Sequence, residues 1–238
     1  MKKIIASLLI IAFGSTGLMA QKTINDSNAE IREAKNFHGI DVSNAFDVYL
    51  SQSNEEAVAV SAVDQKTRDR IVVEVKNGIL YIGLEKGTWK LNNGNKKLKA
   101  YISFKTIDKL AISGACDVFV DGVLKADELK IDLSGASDIK NVKLDVKKMN
   151  LDISGASDMK ASGTVVQLTV EAQGASNFRG IDLATEFCNA RASGASDISI
   201  TVNKELSAQA SGASGIKYKG DGVIRDIKTN GASRISKI

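Results

Sequence analysis

The sequence predicts an all-β fold, a right-handed parallel β-helix or solenoid of about seven coils, with an irregular N-terminal β segment as its cap. Three observations carry that prediction. Seven Gly-Ala pairs start at Gly114, Gly135, Gly155, Gly174, Gly194, Gly212 and Gly231, with spacings of 21, 20, 19, 20, 18 and 19 residues. Four places after each glycine stands an apolar residue: Val118, Ile139, Met159, Phe178, Ile198, Ile216 and Ile235. Before the pairs, apolar residues recur at every second position, as in Leu129, Ile131 and Leu133 or Met149, Leu151 and Ile153. That alternation marks a strand with one buried face.

Taken in order, residues 1–20 have the build of a secretory signal: basic Lys2 and Lys3, an apolar run from Ile4 to Leu18, and Ala20 as a small residue for cleavage. No Cys follows the run, so a lipid anchor is not expected. Removing two lysines brings the formal charge from +4 to +2. With both signs interspersed, that balance excludes the clustered basic surface of a nucleic-acid binder. No membrane-spanning segment is expected in the mature chain.

Residues 21–36 read as an extended N-terminal segment. Residues 37–105 are β-rich but irregular and read as a cap within the same domain. There Ser43-Asn44-Ala45-Phe46-Asp47 looks like a decayed repeat with Asn44 in the glycine place, since Asn tolerates positive φ better than most residues. Ile71 to Val75, Asn77-Gly78 and Ile79 to Leu84 predict a hairpin on its turn dipeptide. Leu98 to Phe104 supplies a further strand, and Glu85 to Lys97, which holds Trp89, reads as a loop.

Residues 106–238 form the solenoid repeats. Each unit reads as a six-residue strand, a Ser-Gly-Ala turn and a second short strand. Alone, such a unit cannot bury its apolar side, but stacking equivalent strands in parallel builds a continuous core. Glycine allows an unusual backbone angle at the corner, and alanine is expected to pack tightly beside it. A propeller blade needs about forty residues, twice this period. The two cysteines, Cys116 and Cys188, fall in different columns four units apart, on the order of 15 to 20 Å at the strand spacing, so two free buried thiols are expected.

Candidate chemistry is thin. Asp117, Asp138, Asp158 and Asp197 form a column three residues after the glycines and admit two readings. One is a solvated ladder with Lys140, Lys160 and Arg179 as counter-ions supplied two residues on by the same coils. The other is a cation site. The serines after each Gly-Ala pair are repeated too often to be a nucleophile, and the sole histidine, His38, reads as a surface or strand-edge residue. Trp89 is either a contact residue or a plug. No catalytic, cofactor-binding or metal-binding residues are assigned, and no cofactor is expected.

Phe37, Ile40, Val42, Val48 and Leu50, then the hairpin, then Leu110-Ala111-Ile112-Ser113-Gly114-Ala115 and its echoes, resemble the family of putative auto-transporter adhesins with a head GIN domain. The resemblance implies an exported β-helical envelope domain. A translocating barrel would have to follow Ile238, so self-export is not expected. The function expected is therefore an exported binding or structural solenoid, not an enzyme, placed in the periplasm or on the outer cell surface. Its expected partner is a glycan or envelope protein, and it could form a homo-oligomer. The alternative is a carbohydrate-active β-helix enzyme, a lyase or hydrolase. Such enzymes build clefts from long loops, for which coils of 18 to 21 residues leave little material.

Overall fold

The computed structural model describes residues 26–86 and 97–238. Trp89, the signal-like residues 1–20 and the start of the extended segment lie outside the described residues. The irregular part contains β1 (Glu30–Arg32), β2 (Gly39–Val42), β3 (Phe46–Gln52), β4 (Ala57–Ser61), helix α1 (Gln65–Arg68), β5 (Ile71–Lys76), β6 (Ile79–Leu84) and β7 (Leu98–Phe104). The repeats contribute β8 (Lys109–Ile112), β9 (Asp117–Asp121), β10 (Val123–Leu133), β11 (Asp138–Ile153), β12 (Asp158–Ala172), β13 (Asn177–Ala192), β14 (Asp197–Gly212), β15 (Gly215–Lys219), β16 (Val223–Gly231) and β17 (Arg234–Lys237).

Together these strands make a β-solenoid of about six turns. The count is slightly below the seven coils expected from the sequence. Equivalent strands pair in parallel, for example Asp132 with Asp152, Asp152 with Glu171, and Glu171 with Arg191. The inward columns of Ile, Leu, Val and Ala form one core, in which Leu151, Val170 and Ala190 are at most 1% exposed. Burying a Leu or Ile side chain contributes about 1.5–3 kcal/mol, and stacking secures that burial in every coil.

Each coil differs in one respect from the two-strand unit read from the sequence. The strand continues for up to 16 residues and bends twice, giving three faces. In β11 the inside-outside alternation is broken by two exposed pairs, Lys140-Asn141 and Lys147-Lys148, each of which turns the chain by a corner. The ladder shifts register there too, between Ile139 and Val142, and Asn141 has φ 51°. The first face runs from β6 through β2, β8 and the ends of β10–β14 to β16. The second runs from β4 through β7, β3, β9 and the starts of β11–β14 to β15 and β17.

The third corner is the glycine column. Gly135 has φ 82°, a region that costs a side-chain-bearing residue roughly 1–2 kcal/mol. A Cβ there would also collide with the carbonyl oxygen of Gly114 in the preceding coil. That carbonyl accepts the Ala136 N–H at 2.7 Å, and the pattern repeats from Ala156 to Gly135 and from Ala195 to Gly174. The alanine side chains face solvent rather than packing tightly, so what the corner uses is their N–H.

Asn44 occupies the glycine position of the first coil, with φ 83°. Nothing of the glycine column lies beneath it, so its side chain has room, and Oδ1 accepts the Leu84 N–H at 2.8 Å.

The N-terminal end is closed by strands of reversed direction. β5 and β6 form the expected hairpin through Asn77 and Gly78, while β4 lies antiparallel to β7 and β1 antiparallel to β4. On the third face a side chain does the closing. Gln52 accepts the Lys125 N–H at 2.7 Å and donates back to the Lys125 carbonyl at 3.0 Å, in the manner of a ladder neighbour.

Candidate functional site

The solenoid leaves its outer faces as the surfaces available for recognition. On the second face, the strand register lines up Asp117, Asp138, Asp158, Asn177 and Asp197. Lys140 lies 2.8 Å from Asp117, and Arg179 lies 3.1 Å from Asp158, which also accepts from the Asn177 amide at 2.6 Å. The counter-ions therefore come from the following coil, not from the same coil as the sequence suggested. The hydrogen bond to Asp117 raises the Lys140 pKa. Among the described residues no three His, Cys, Asp or Glu side chains converge to hold a metal ion.

The next outward column on this face begins with three stacked rings, Tyr101, Tyr49 and Phe119. Their centroids are 5.1 and 5.2 Å apart, with 15° between successive planes. Lys140 covers the free side of Phe119 at 5.7 Å, and Tyr101 donates its hydroxyl to Asp26 at 2.8 Å. Burial, and then this bond, push the Tyr101 phenol well above its usual pKa. The rings spend their faces on one another and present their edges outward. No sequence signal marks them as neighbours, since Tyr49 and Tyr101 stand far apart in the chain and only the β3–β7 register joins them.

The first face carries a second pattern absent from the sequence reading. Its outward column reads Asp41, Ala111, Asp132, Asp152, Glu171, Arg191, Gln209 and Lys228, acidic toward the cap and basic toward β16. Burial raises the Asp41 and Asp152 carboxyl pKa values, with Asp132 adding to both. Arg191 meets Glu171 at 2.6 Å where the sign changes. An open depression of about 280 Å³ crosses this column between Glu171 and Lys228. Another, of about 320 Å³, lies beside the partly exposed Phe187. Both are shallow furrows between coils.

The remaining sequence candidates lie apart from these columns. The serines after each Gly-Ala pair turn inward: Ser196 Oγ lies 2.8 Å from the Ser193 carbonyl and 2.9 Å from that of Ala172, and Ser214 repeats the pattern. Cys116 fills the same position with sulfur, 3.5 Å from the Ser113 carbonyl, and accepts the Phe46 N–H at 3.4 Å. Cys116 and Cys188 are both free and buried, and burial pushes the Cys188 thiol up to about 12. His38 lies at the surface, with Nδ1 3.0 Å from Asp108.

Residues 36–222 match the family model described as "Putative auto-transporter adhesin, head GIN domain". The chain belongs to this family. Among solved structures, the GIN-domain chain is similar to a putative adhesin from Bacteroides fragilis NCTC 9343, at 25% identity and a TM-score of 0.82, over 88% of this chain and 96% of that one. A putative adhesin from Parabacteroides merdae ATCC 43184 shares the fold at 18% identity and a TM-score of 0.66, over 88% and 95% of the two chains. A protein from Parabacteroides distasonis ATCC 8503 described as a putative lipid binding protein also shares it, at 20% identity and a TM-score of 0.68, over 89% and 97%. No curated protein matches the GIN-domain chain.

Proposed function

We propose that this GIN-domain protein is an exported, non-catalytic binding module of the cell envelope that presents its outer solenoid faces to a glycan or to another envelope protein. The observation that carries the reading is the uniformity of the coils. The corners from Gly114 to Gly231 are tight turns, and the depressions between coils are open to solvent. Such a surface suits many weak, repeated contacts along the rod and offers no walls to exclude water from a reacting bond. Family membership supports the adhesin-like character, and the signal-like residues 1–20 support export.

The relative described as lipid binding suggests a different ligand class. In this solenoid the interior is filled by side chains such as Leu151, Val170 and Ala190, which leaves an acyl chain only the outer faces.

A glycan array combined with pulldown from envelope extract tests the proposal. Selective capture of a glycan or of one envelope protein, with the ligand recovered intact, is the expected result. New reducing ends would establish the carbohydrate-active enzyme instead, and no capture at all would leave a passive scaffold. Protease treatment of intact cells separates the two locations, since only a surface-displayed domain is cleaved.

A further inference from the structure

The two ends of the solenoid are finished differently. At the capped end, the inward Leu80 and Ile82 of β6 are at most 1% exposed, and β5 occupies the outer edge of that strand. At the other end β16 pairs with β14 on one side, and no described residue pairs with its opposite side. Ile224 and Ile227 continue the inward columns of Leu206 and Ala208, yet they are 45% and 41% exposed. Val223, beside them, is 61% exposed. An uncovered strand edge backed by apolar side chains is a template for further pairing.

We infer that the outer edge of β16 is an isologous pairing surface for a second copy of this chain. The residue order of β16 is self-complementary about Ile227. When two copies run antiparallel with Ile227 opposite Ile227, Asp226 of each stands opposite Lys228 of the other. Asp226 and Lys228 both lie on the outward side, in register with Ser207 and Gln209, and at present bond each other at 2.7 Å. Pairing exchanges that local contact for two cross-strand ones, the arrangement that stabilises antiparallel ladders. The inward Ile227 side chains then meet at the junction of the two cores. An isologous contact uses the same patch on both copies, so assembly closes at two, with the capped ends outward.

Sedimentation velocity on the 238-residue chain, from low to high micromolar concentration, tests this. A reversible monomer–dimer equilibrium is expected. D226K and K228D each set like charges opposite one another and weaken association on the order of tenfold or more, with an unchanged circular dichroism spectrum. The double variant D226K/K228D restores the opposite pairing and with it the dimer, a recovery that general loss of surface charge balance does not produce. A wild-type protein monomeric throughout, a ladder of larger species, or a double variant as weak as the singles overturns the inference.

Discussion

At the scale of single residues, the corner column separates what a position needs from what it tolerates. A Cβ on Gly174 would stand 2.7 Å from the Gly155 carbonyl oxygen, and its φ is 82°. Gly174→Ala is therefore expected to cost at least about 2 kcal/mol in urea unfolding, since neither the angle nor the backbone of the preceding coil can give. Asn44→Gly removes the hydrogen bond to Leu84 at the same column position and is expected to cost about 1 kcal/mol.

A pH effect belongs to this scale too. Burial, with Asp132 close by, raises the Asp152 carboxyl pKa, so the folded chain binds that proton more tightly than the unfolded chain does. Ionised Asp152 then opposes folding, and the opposition fades as the pH falls through the carboxylate range. Asp152→Asn is expected to raise the urea midpoint near pH 7, with the gain shrinking below about pH 4.

At the scale of the element, the coil is the unit that behaves as a whole. Removing residues 156–174 joins Gly155 to Ala175, keeps every column in register and discards one coil. The expected product is folded, with an unchanged far-ultraviolet spectrum and a lower unfolding midpoint, because stability in stacked repeats is nearly a sum over units. Removing residues 156–165 instead puts inward side chains out of phase with the coil beneath, and no cooperative transition is expected.

The same unit explains how far the sequence could be read. The Gly-Ala corner was legible because one backbone conformation and one close approach demand glycine each time, and Asn44 was legible as its variant. The hairpin was legible from Asn77-Gly78, whose φ values are 51° and 75°. The other two corners were not, because they have no common residue: β11 turns at Asn141 with φ 51°, β12 bends near Gly163 with φ 103°, and Lys147-Lys148 merely stays outside. The Tyr49–Tyr101–Phe119 stack and the change of sign along the first face were hidden for another reason. Both arise from register between segments, and register follows from the folded stack rather than from local pattern.

For the whole molecule, the contrast between ends is the main feature. Interior coils have both neighbours, whereas β16 and β17 have one each, and nearly every residue of β16 is exposed or half-exposed. Hydrogen exchange at low protein concentration, where the monomer prevails, is expected to be slowest in β11–β14 and fastest in β16 and β17. Uniform protection along the rod would contradict that gradient. The long faces between the ends supply the repetitive surface that the proposed binding role requires.

Asn44 also limits how such a rod can change its length. Copying any interior unit of about twenty residues puts a glycine at the new seam and adds about 4.8 Å. Copying the first unit would put an amide side chain where the preceding coil's carbonyl sits, as a Cβ on Gly114 would meet the Asn44 carbonyl oxygen. Genetic duplication can therefore lengthen the rod from its middle but not from its base, and the base stays a fixed origin from which reach is measured.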